Sequence, residues 1–344
     1  MEATYILPIR HIQLEEGLDE LTDYLNWLAS QVEVIVVDGS PPALFAIHHT
    51  RWSSSVIHIP PDTEGQITNG KVRGVLTGVR HATHERVVIA DEDVRYHVTS
   101  LSRLVALLDQ ADVVRPQNYF DPLPWHARWD SGRILLNRMT GGDWPGTLGV
   151  RLSIIQATGG YDGDVLFENL ELVRTIRAAG GRELLVPDLF VLRRPPSARH
   201  FWSQRVRQAY DEFARPLRLI VSLALLPLAL IFSLHRCWRG LLMAFTTIIC
   251  VAEMGRRRDT GESVFPFTAS LLAPFWVMER AICIWLALGM RVFFGGVPYH
   301  GTILRHAATS ETVLRQRYAE QTSKNSKTPL RFAESGFGKE REKY

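Results

Sequence analysis

The 344-residue chain is 46% hydrophobic with a formal net charge of +3, which allows a full core and is too little charge to argue for nucleic acid. No basic stripe interleaved with aromatics occurs in the first 195 residues, so no nucleic-acid partner is expected. The three cysteines, Cys237, Cys250 and Cys283, lie in apolar runs without metal-ligand spacing and read as small buried hydrophobes.

Residues 4–9 form a strand-like run with no charged or apolar leader before it, so the first half is expected to be cytosolic. Leu18, Leu21, Leu25 and Leu28 recur at helical spacing, and residues 32–37 are a second strand closed by Asp38-Gly39-Ser40. The alternation then repeats. A strand over 56–59 precedes a helix face of Val72, Val75, Leu76 and Val79, and a strand over 87–90 precedes a helix carrying Leu101, Leu104, Val105 and Leu108. Val113-Val114 begins another strand. This order predicts an α/β domain with a mostly parallel sheet and helices on both faces.

In such a sheet ligands collect at the carboxyl ends of strands, where Asp38 and the Asp91-Glu92-Asp93 turn are placed to share one cleft. Asp91 and Asp93, two apart on an extended chain, project to one side, as a metal-bound diphosphate requires; solvated loop carboxylates are the alternative. Lys71 is either a helix-start lysine or a cation facing that cleft. Residues 118–149 read as a long irregular loop supplying part of a substrate pocket, with Trp125, His126 and Trp144 as packing groups or sugar platforms. Gly159-Gly160-Tyr161-Asp162 then turns into a helix carrying Glu168, Asn169 and Glu171, followed by a strand at 184–187.

Segment 196–215 is rich in Arg, His and aromatic residues and reads as a basic helix in the headgroup plane. Residues 217–234 are apolar but for Arg218 near their start, close to the roughly 20 residues a membrane span needs. A second apolar run over 240–254 ends in Arg256-Arg257-Arg258, which the positive-inside rule assigns to the cytosol, so the two runs make a hairpin. The run over 265–297 carries Glu279-Arg280 at its middle. An ion pair at mid-bilayer is costly, so two shorter segments are expected there. The polar tail after Thr309 reads as largely disordered. The partition is a cytosolic domain over 1–195, an interfacial helix over 196–215, membrane helices over 216–300 and a tail over 301–344.

Taken in order, Val34-Ile35-Val36-Val37-Asp38-Gly39-Ser40, Gly70-Lys71, the run 87–93, Gly159-Gly160-Tyr161-Asp162 and Glu168-Asn169-Leu170-Glu171-Leu172 resemble the signature of family 2 glycosyltransferases, over about the first 215 residues. The resemblance implies a GT-A nucleotide-sugar-binding domain, a divalent metal (Mg2+ or Mn2+) held by Asp91 and Asp93, and inversion at the anomeric carbon. It also implies that Pro8 and Asp38 line the base pocket while Asp91 and Asp93 hold ribose, diphosphate and metal. In the family the catalytic base lies in a Glu-Asp or Asp-Asp pair after the Gly-Gly-aromatic-Asp turn. Here Asn169 stands second, so Glu168 takes the role, with Asp162 and Asp164 as fallbacks; the alternative is that Glu168 and Glu171 only favour the helix dipole.

Gln204-Arg205-Val206-Arg207-Gln208 resembles the Gln-x-x-Arg-Trp motif of cellulose-synthase-like and ceramide-glucosyltransferase-like members, with Gln204 and Arg207 in register and Gln208 in place of Trp. Arginines that grip the donor diphosphate and arginines on anionic headgroups are its two readings. The expectation is a metal-dependent hexosyltransferase of the cell membrane, moving a sugar from a nucleotide-sugar, first a UDP-sugar, to a lipid acceptor of ceramide or hopanoid type. A glycan-chain transferase, a nucleotidyltransferase and a catalytically degenerate membrane scaffold are the alternatives.

Overall fold

In the computed structural model of the protein, residues 1–13, 17–62, 67–299 and 302–327 are described. The first alternation folds as expected. β1 (Thr4–Ile9), α1 (Leu18–Ala29), β2 (Glu33–Asp38), α2 (Pro42–Trp52), β3 (Ile57–Ile59), α3 (Gly70–His81) and β4 (Arg86–Ala90) follow one another, with β3, β2, β1 and β4 paired in parallel. α1 buries Leu18, Leu21, Leu25 and Leu28, the leucines of its repeat. β5 (Val94–Arg95), α4 (Val98–Leu107) and β6 (Val113–Phe120) come next.

The segment read as an irregular loop is largely regular. α5 (Trp125–Met139) fills its middle and β7 (Thr147–Arg151) its end, running antiparallel between β4 and β6. α5 was hidden because it buries polar residues beside apolar ones, Asp130, Asn137 and Arg138 with Ile134 and Leu135, so no apolar stripe marks a face. α6 (Leu152–Ala157), α7 (Glu168–Ala178) and β8 (Glu183–Arg193) complete a mixed sheet of order β3-β2-β1-β4-β7-β6-β8-β5. Alternate residues of β1 serve opposite faces: Tyr5 and Leu7 pack with α1 and α4 residues such as Leu25 and Leu104, and Ile6 with Val75, Val79 and Ile176.

Two short helices, α8 (Ala198–Ser203) and α9 (Arg205–Tyr210), and a 3-10 turn over Asp211–Ala214 occupy the segment read as one interfacial helix. α10 (Pro216–Leu234), α11 (Trp238–Arg257) and α12 (Phe267–Phe294) are long and apolar enough to cross a membrane. α12 runs unbroken through Glu279 and Arg280, against the expectation of two shorter segments. The charge of Glu279 is met inside the protein: Arg205 Nη2 lies 2.9 Å from its Oε2, Trp129 Nε1 donates to it at 3.0 Å, and Arg205 Nη1 reaches Asp130 Oδ1 at 3.0 Å. The charged face of α12 is therefore the face packed on α5 and α9. Accordingly 44% of its most apolar stretch is buried, against 6% for α10 and 11% for α11.

Cys237 and Cys250 are exposed and only Cys283 is buried, because the apolar runs carrying the first two face outward. A hairpin of β9 (Val297–Tyr299) and β10 (Thr302–Leu304) leads to α13 (Glu311–Lys327), a helix where an unstructured tail was expected. The remainder of that tail, 328–344, lies outside the described residues.

α5 and α12 meet at Gly132, where a Cβ would lie 2.9 Å from the Cα of Ala273 and 3.0 Å from its nitrogen. Gly132→Val should destabilise the fold by about 1–3 kcal/mol through overpacking. The readout is the thermal midpoint of the detergent-solubilised chain; an unchanged midpoint would refute this close approach.

Candidate active site

The carboxyl ends of β1 and β2 and the start of α3 enclose a cleft of about 190 Å3, lined by Pro8, Arg10, Gly39, Gly70, Lys71 and Gly74 among others. A Cβ on Gly74 would come within 2.8 Å of Pro8 Cβ, so glycine is what lets α3 lie this close to β1.

A charge cluster adjoins the cleft through Lys71. Asn69 caps α3, its Oδ1 accepting from Lys71 N at 3.0 Å while its Nδ2 donates to Val165 O. Lys71 is thereby aimed at two carboxylates, its Nζ lying 2.5 Å from Asp91 Oδ1 and 2.6 Å from Glu168 Oε1. Arg193, the last residue of β8, sets Nε 2.8 Å from Asp93 Oδ2 and Nη2 3.3 Å from Asp91 Oδ2. Glu168, Lys71, Asp91, Arg193 and Asp93 thus form one continuous chain of ion pairs. Arg193 is not among the residues expected at the site: as the first arginine of an Arg-rich stretch it carries no mark of its carboxylate partners in the sequence.

Burial pushes the Asp91 carboxyl up, but Lys71 and Arg193 outweigh it and hold Asp91 below its ordinary range. At Asp93 burial prevails, and with the Asp91 charge beside it the carboxyl stands above its ordinary range despite Arg193. Burial disfavours the Lys71 ammonium, yet Asp91 and Glu168 reverse the balance and keep it charged.

Asp93 Oδ1 is buried without a hydrogen-bond partner. An orphaned carboxylate oxygen beside a second carboxylate two residues away fits a hard divalent cation. Among the described residues no group of three or more His, Cys, Asp and Glu is gathered, so the chain would supply Asp91 and Asp93 and leave the remaining positions to ligand and water oxygens.

Asp38 is absent from the cleft lining. It is buried, its Oδ1 accepting from Ser40 N at 2.9 Å and its Oδ2 lying 2.7 Å from His48 Nδ1 and 3.1 Å from His58 Nε2. His48 Nε2 lies 3.4 Å from His11 Nδ1, and His11 Nε2 lies 3.0 Å from Glu92 Oε2. A polar chain therefore fastens the turn between Asp91 and Asp93 to the end of β2.

Asp162 and Asp164 hold their own loop and do not join the cluster: Asp162 Oδ1 accepts from Asp164 N at 2.8 Å, and Asp164 Oδ1 from Thr68 N at 3.1 Å. Before them Gly159 and Gly160 adopt φ of +70° and +93°, and a Cβ on Gly160 would strike Leu76 at 2.8 Å. Asn169 Nδ2 donates to Pro145 O at 2.9 Å, and Asp91 N donates to Gly146 O at 2.7 Å, so the end of β4 and the start of α7 are both tied to the chain entering β7.

Gln204 and Arg207 bond each other at 3.2 Å where α8 meets α9 and make no ion pair with the cluster. Trp125 and Trp129 lie beside Trp202, with ring centres 6.2 and 6.1 Å away, and Trp129 also meets Phe275 of α12. They form an aromatic cluster outside the cleft, where α5 meets the apolar helices. Asp211, in the turn before α10, carried no motif. Burial, with Glu168 adding, pushes its carboxyl up to about 7 against the opposing charges of Arg215, Arg280 and Arg207.

No family model matches the sequence, and no curated protein matches it. Among solved structures, the mannosyltransferase PcManGT from Pyrobaculum calidifontis, in complex with GDP-Man and Mn2+, is similar over 83% of this chain and 87% of that one, with a TM-score of 0.52 and 18% identity. TarS of S. aureus is similar over 62% of this chain and 40% of that one, at TM-score 0.39 and 16% identity. A GalNAc transferase with UDP, GalNAc and Mn2+ is similar over 56% and 44% of the two chains, at TM-score 0.39 and 12% identity. The fold is thus a GT-A-like α/β layer, here followed by three apolar helices.

Because Asp211 stands at about 7 in the fold against an ordinary 3.8, the stability it contributes is full below about pH 4 and lost as the pH rises through about 7. Asp211→Asn should flatten the decline of the thermal midpoint across that window. Parallel curves for wild type and variant would remove Asp211 as the titrating group.

Proposed function

We propose that the protein is an inverting glycosyltransferase that moves a hexose from a nucleotide-sugar to a hydroxyl of a membrane lipid, using Mg2+ or Mn2+ at Asp91 and Asp93. The observation that carries this reading is the convergence of Lys71, Asp91, Asp93, Glu168 and Arg193 at the end of the glycine-lined cleft. The GDP-Man and Mn2+ of the Pyrobaculum mannosyltransferase support it.

Pro8, Gly39 and Gly74 offer a flat, close-packed wall for base and ribose. The metal, when bound, neutralises charge developing on the departing diphosphate. Lys71 and Arg193 then serve the same phosphates, the guanidinium as a fork and the ammonium as a point charge. As Lys71 is drawn to phosphate, Glu168 Oε1 is freed to accept the acceptor hydroxyl's proton. The hydroxyl oxygen bonds to the anomeric carbon, and the bond to the nucleoside diphosphate breaks. Gln204 and Arg207 are proposed to reach the donor diphosphate; Arg207 acts electrostatically on Asp211, as Glu168 does.

The acceptor is read as a lipid because α12 packs directly on α5 and α9 of the catalytic layer. Arg256-Arg257-Arg258 after α11 favours a cytosolic catalytic layer and a multi-pass chain in the cell membrane. One observation favours a non-catalytic scaffold instead: Lys71 already pairs with both Asp91 and Glu168, so the charge of Asp91 is met without a metal.

Membranes carrying wild type, Asp93→Ala or Glu168→Gln are supplied with labelled UDP-sugars and GDP-mannose together with Mg2+ or Mn2+. Label should enter the organic-extractable fraction with wild type only; label in polymer instead would replace the lipid by a glycan chain. Asp93→Ala should lose metal-dependent donor binding. Glu168→Gln should keep binding and lose about 100-fold or more of turnover. Absence of metal-dependent nucleotide binding in wild type would favour the scaffold.

A further inference from the structure

A second cavity, of about 270 Å3, lies along the face of α7 opposite Glu168, where Leu170, Val173, Arg174 and Arg177 line it. Three more arginines enter it: Arg115 from β6, Arg215 at the N-cap of α10 and Arg218 in its first turn. The lining carboxylates are two, Glu183 and Glu311, and Glu212 pairs with both Arg215 and Arg218 at 3.3 Å. The lining therefore carries a surplus of positive charge.

Arg115 is only 5% exposed. Its Nη2 donates to Gly141 O at 2.7 Å and its guanidinium stacks 4.1 Å from the Trp144 ring centre. Its Nε lies 3.2 Å from Glu183 Oε1 yet makes no hydrogen bond, and Arg215 Nε is likewise buried without an acceptor. Burial lowers the pKa of Arg115, Arg174 and Arg215, and their carboxylate neighbours compensate only in part. Buried, under-compensated guanidinium groups with unused N–H donors match a phosphate, whose oxygens accept from such forks.

We propose that this cavity binds a phosphate group carried by a membrane-lipid headgroup and so seats the α/β layer on the bilayer. The carrier is read from position. Arg215 and Arg218 flank Pro216 at the foot of α10, the least buried of the three apolar helices, so a headgroup held there leaves its acyl chains running along α10. The inference does not depend on the glycosyl-transfer reading, since none of these arginines touches the charge cluster at the cleft.

The test uses the full chain purified in detergent. Native mass spectrometry follows its retention of phosphatidylglycerol and, as the phosphate-free control, of diacylglycerol. Wild type should retain one phosphatidylglycerol saturably and no diacylglycerol. Arg177→Gln removes one guanidinium, and Thr140→Glu puts a carboxylate on an exposed lining residue without touching any arginine. Each should weaken retention about tenfold, the equivalent of one charge-assisted hydrogen bond. If Arg177→Gln fails to fold, Thr140→Glu carries the test alone. Equal retention by wild type and Thr140→Glu, or equal retention of both lipids, overturns the proposal. Millimolar inorganic phosphate that raises the thermal midpoint of wild type but not of Thr140→Glu, with no lipid preference, assigns the site to soluble phosphate and overturns the lipid carrier.

Discussion

The ammonium of Lys71, held between Asp91 and Glu168, is the contact on which the arrangement of the cleft depends. It joins the start of α3 and the end of β4 to the start of α7, Lys71 and Glu168 being 97 residues apart in sequence. Each partner is fixed from behind: Lys71 by the Asn69 cap, Asp91 by Gly146 O, and α7 by the bond from Asn169 to Pro145. Removing one member of such a partly buried pair leaves an uncompensated charge, a loss of about 3–5 kcal/mol where burial is complete and less here. Ligand that draws Lys71 away must therefore return a comparable interaction to both carboxylates.

The apolar helices obey the same accounting. Glu279 sits in the middle of α12, where an unpaired carboxylate would be expensive in lipid, and it is tolerated because Arg205 and Trp129 meet it from α9 and α5. The α/β layer thus contributes the groups that allow α12 to be one continuous helix. α10 and α11 make no comparable demand and stay largely uncovered.

Legibility in the sequence followed from periodicity and from order. The leucines of α1, the β-branched runs of β1, β2 and β4, and the strand-end placement of Asp91 and Asp93 could be read because one residue type repeats at one spacing. Lys71 and Glu168 were separable candidates, and only the fold shows that they touch each other. α5 was illegible because its buried face mixes Asp130 and Arg138 with Ile134, so burial left no apolar stripe. Arg193 was illegible for another reason: an arginine in an Arg-rich stretch carries no mark of its partner until β8 ends beside the Asp91–Asp93 turn. Asp38 shows the converse, since its strand-end position was right while its side chain belongs to His48 and His58.

Two arginine-rich regions can then be told apart by compensation. Arg133 lies between Asp130 and Asp143 at 2.9 and 2.5 Å, and Arg205 between Asp130 and Glu279; in both, each guanidinium meets two carboxylates. Burial disfavours these charges, yet the paired carboxylates more than offset it and the pKa of each stands above its ordinary value. Arg115 and Arg215 are buried to a similar degree with the opposite outcome, their pKa lowered and an Nε left without an acceptor. A fold that uses arginine only as an internal fastener has no reason to pair Arg115 and Arg215 with one carboxylate each while giving Arg133 and Arg205 two. The contrast distinguishes fastening from recognition by the number of carboxylates that meet each buried guanidinium, a criterion that composition cannot supply.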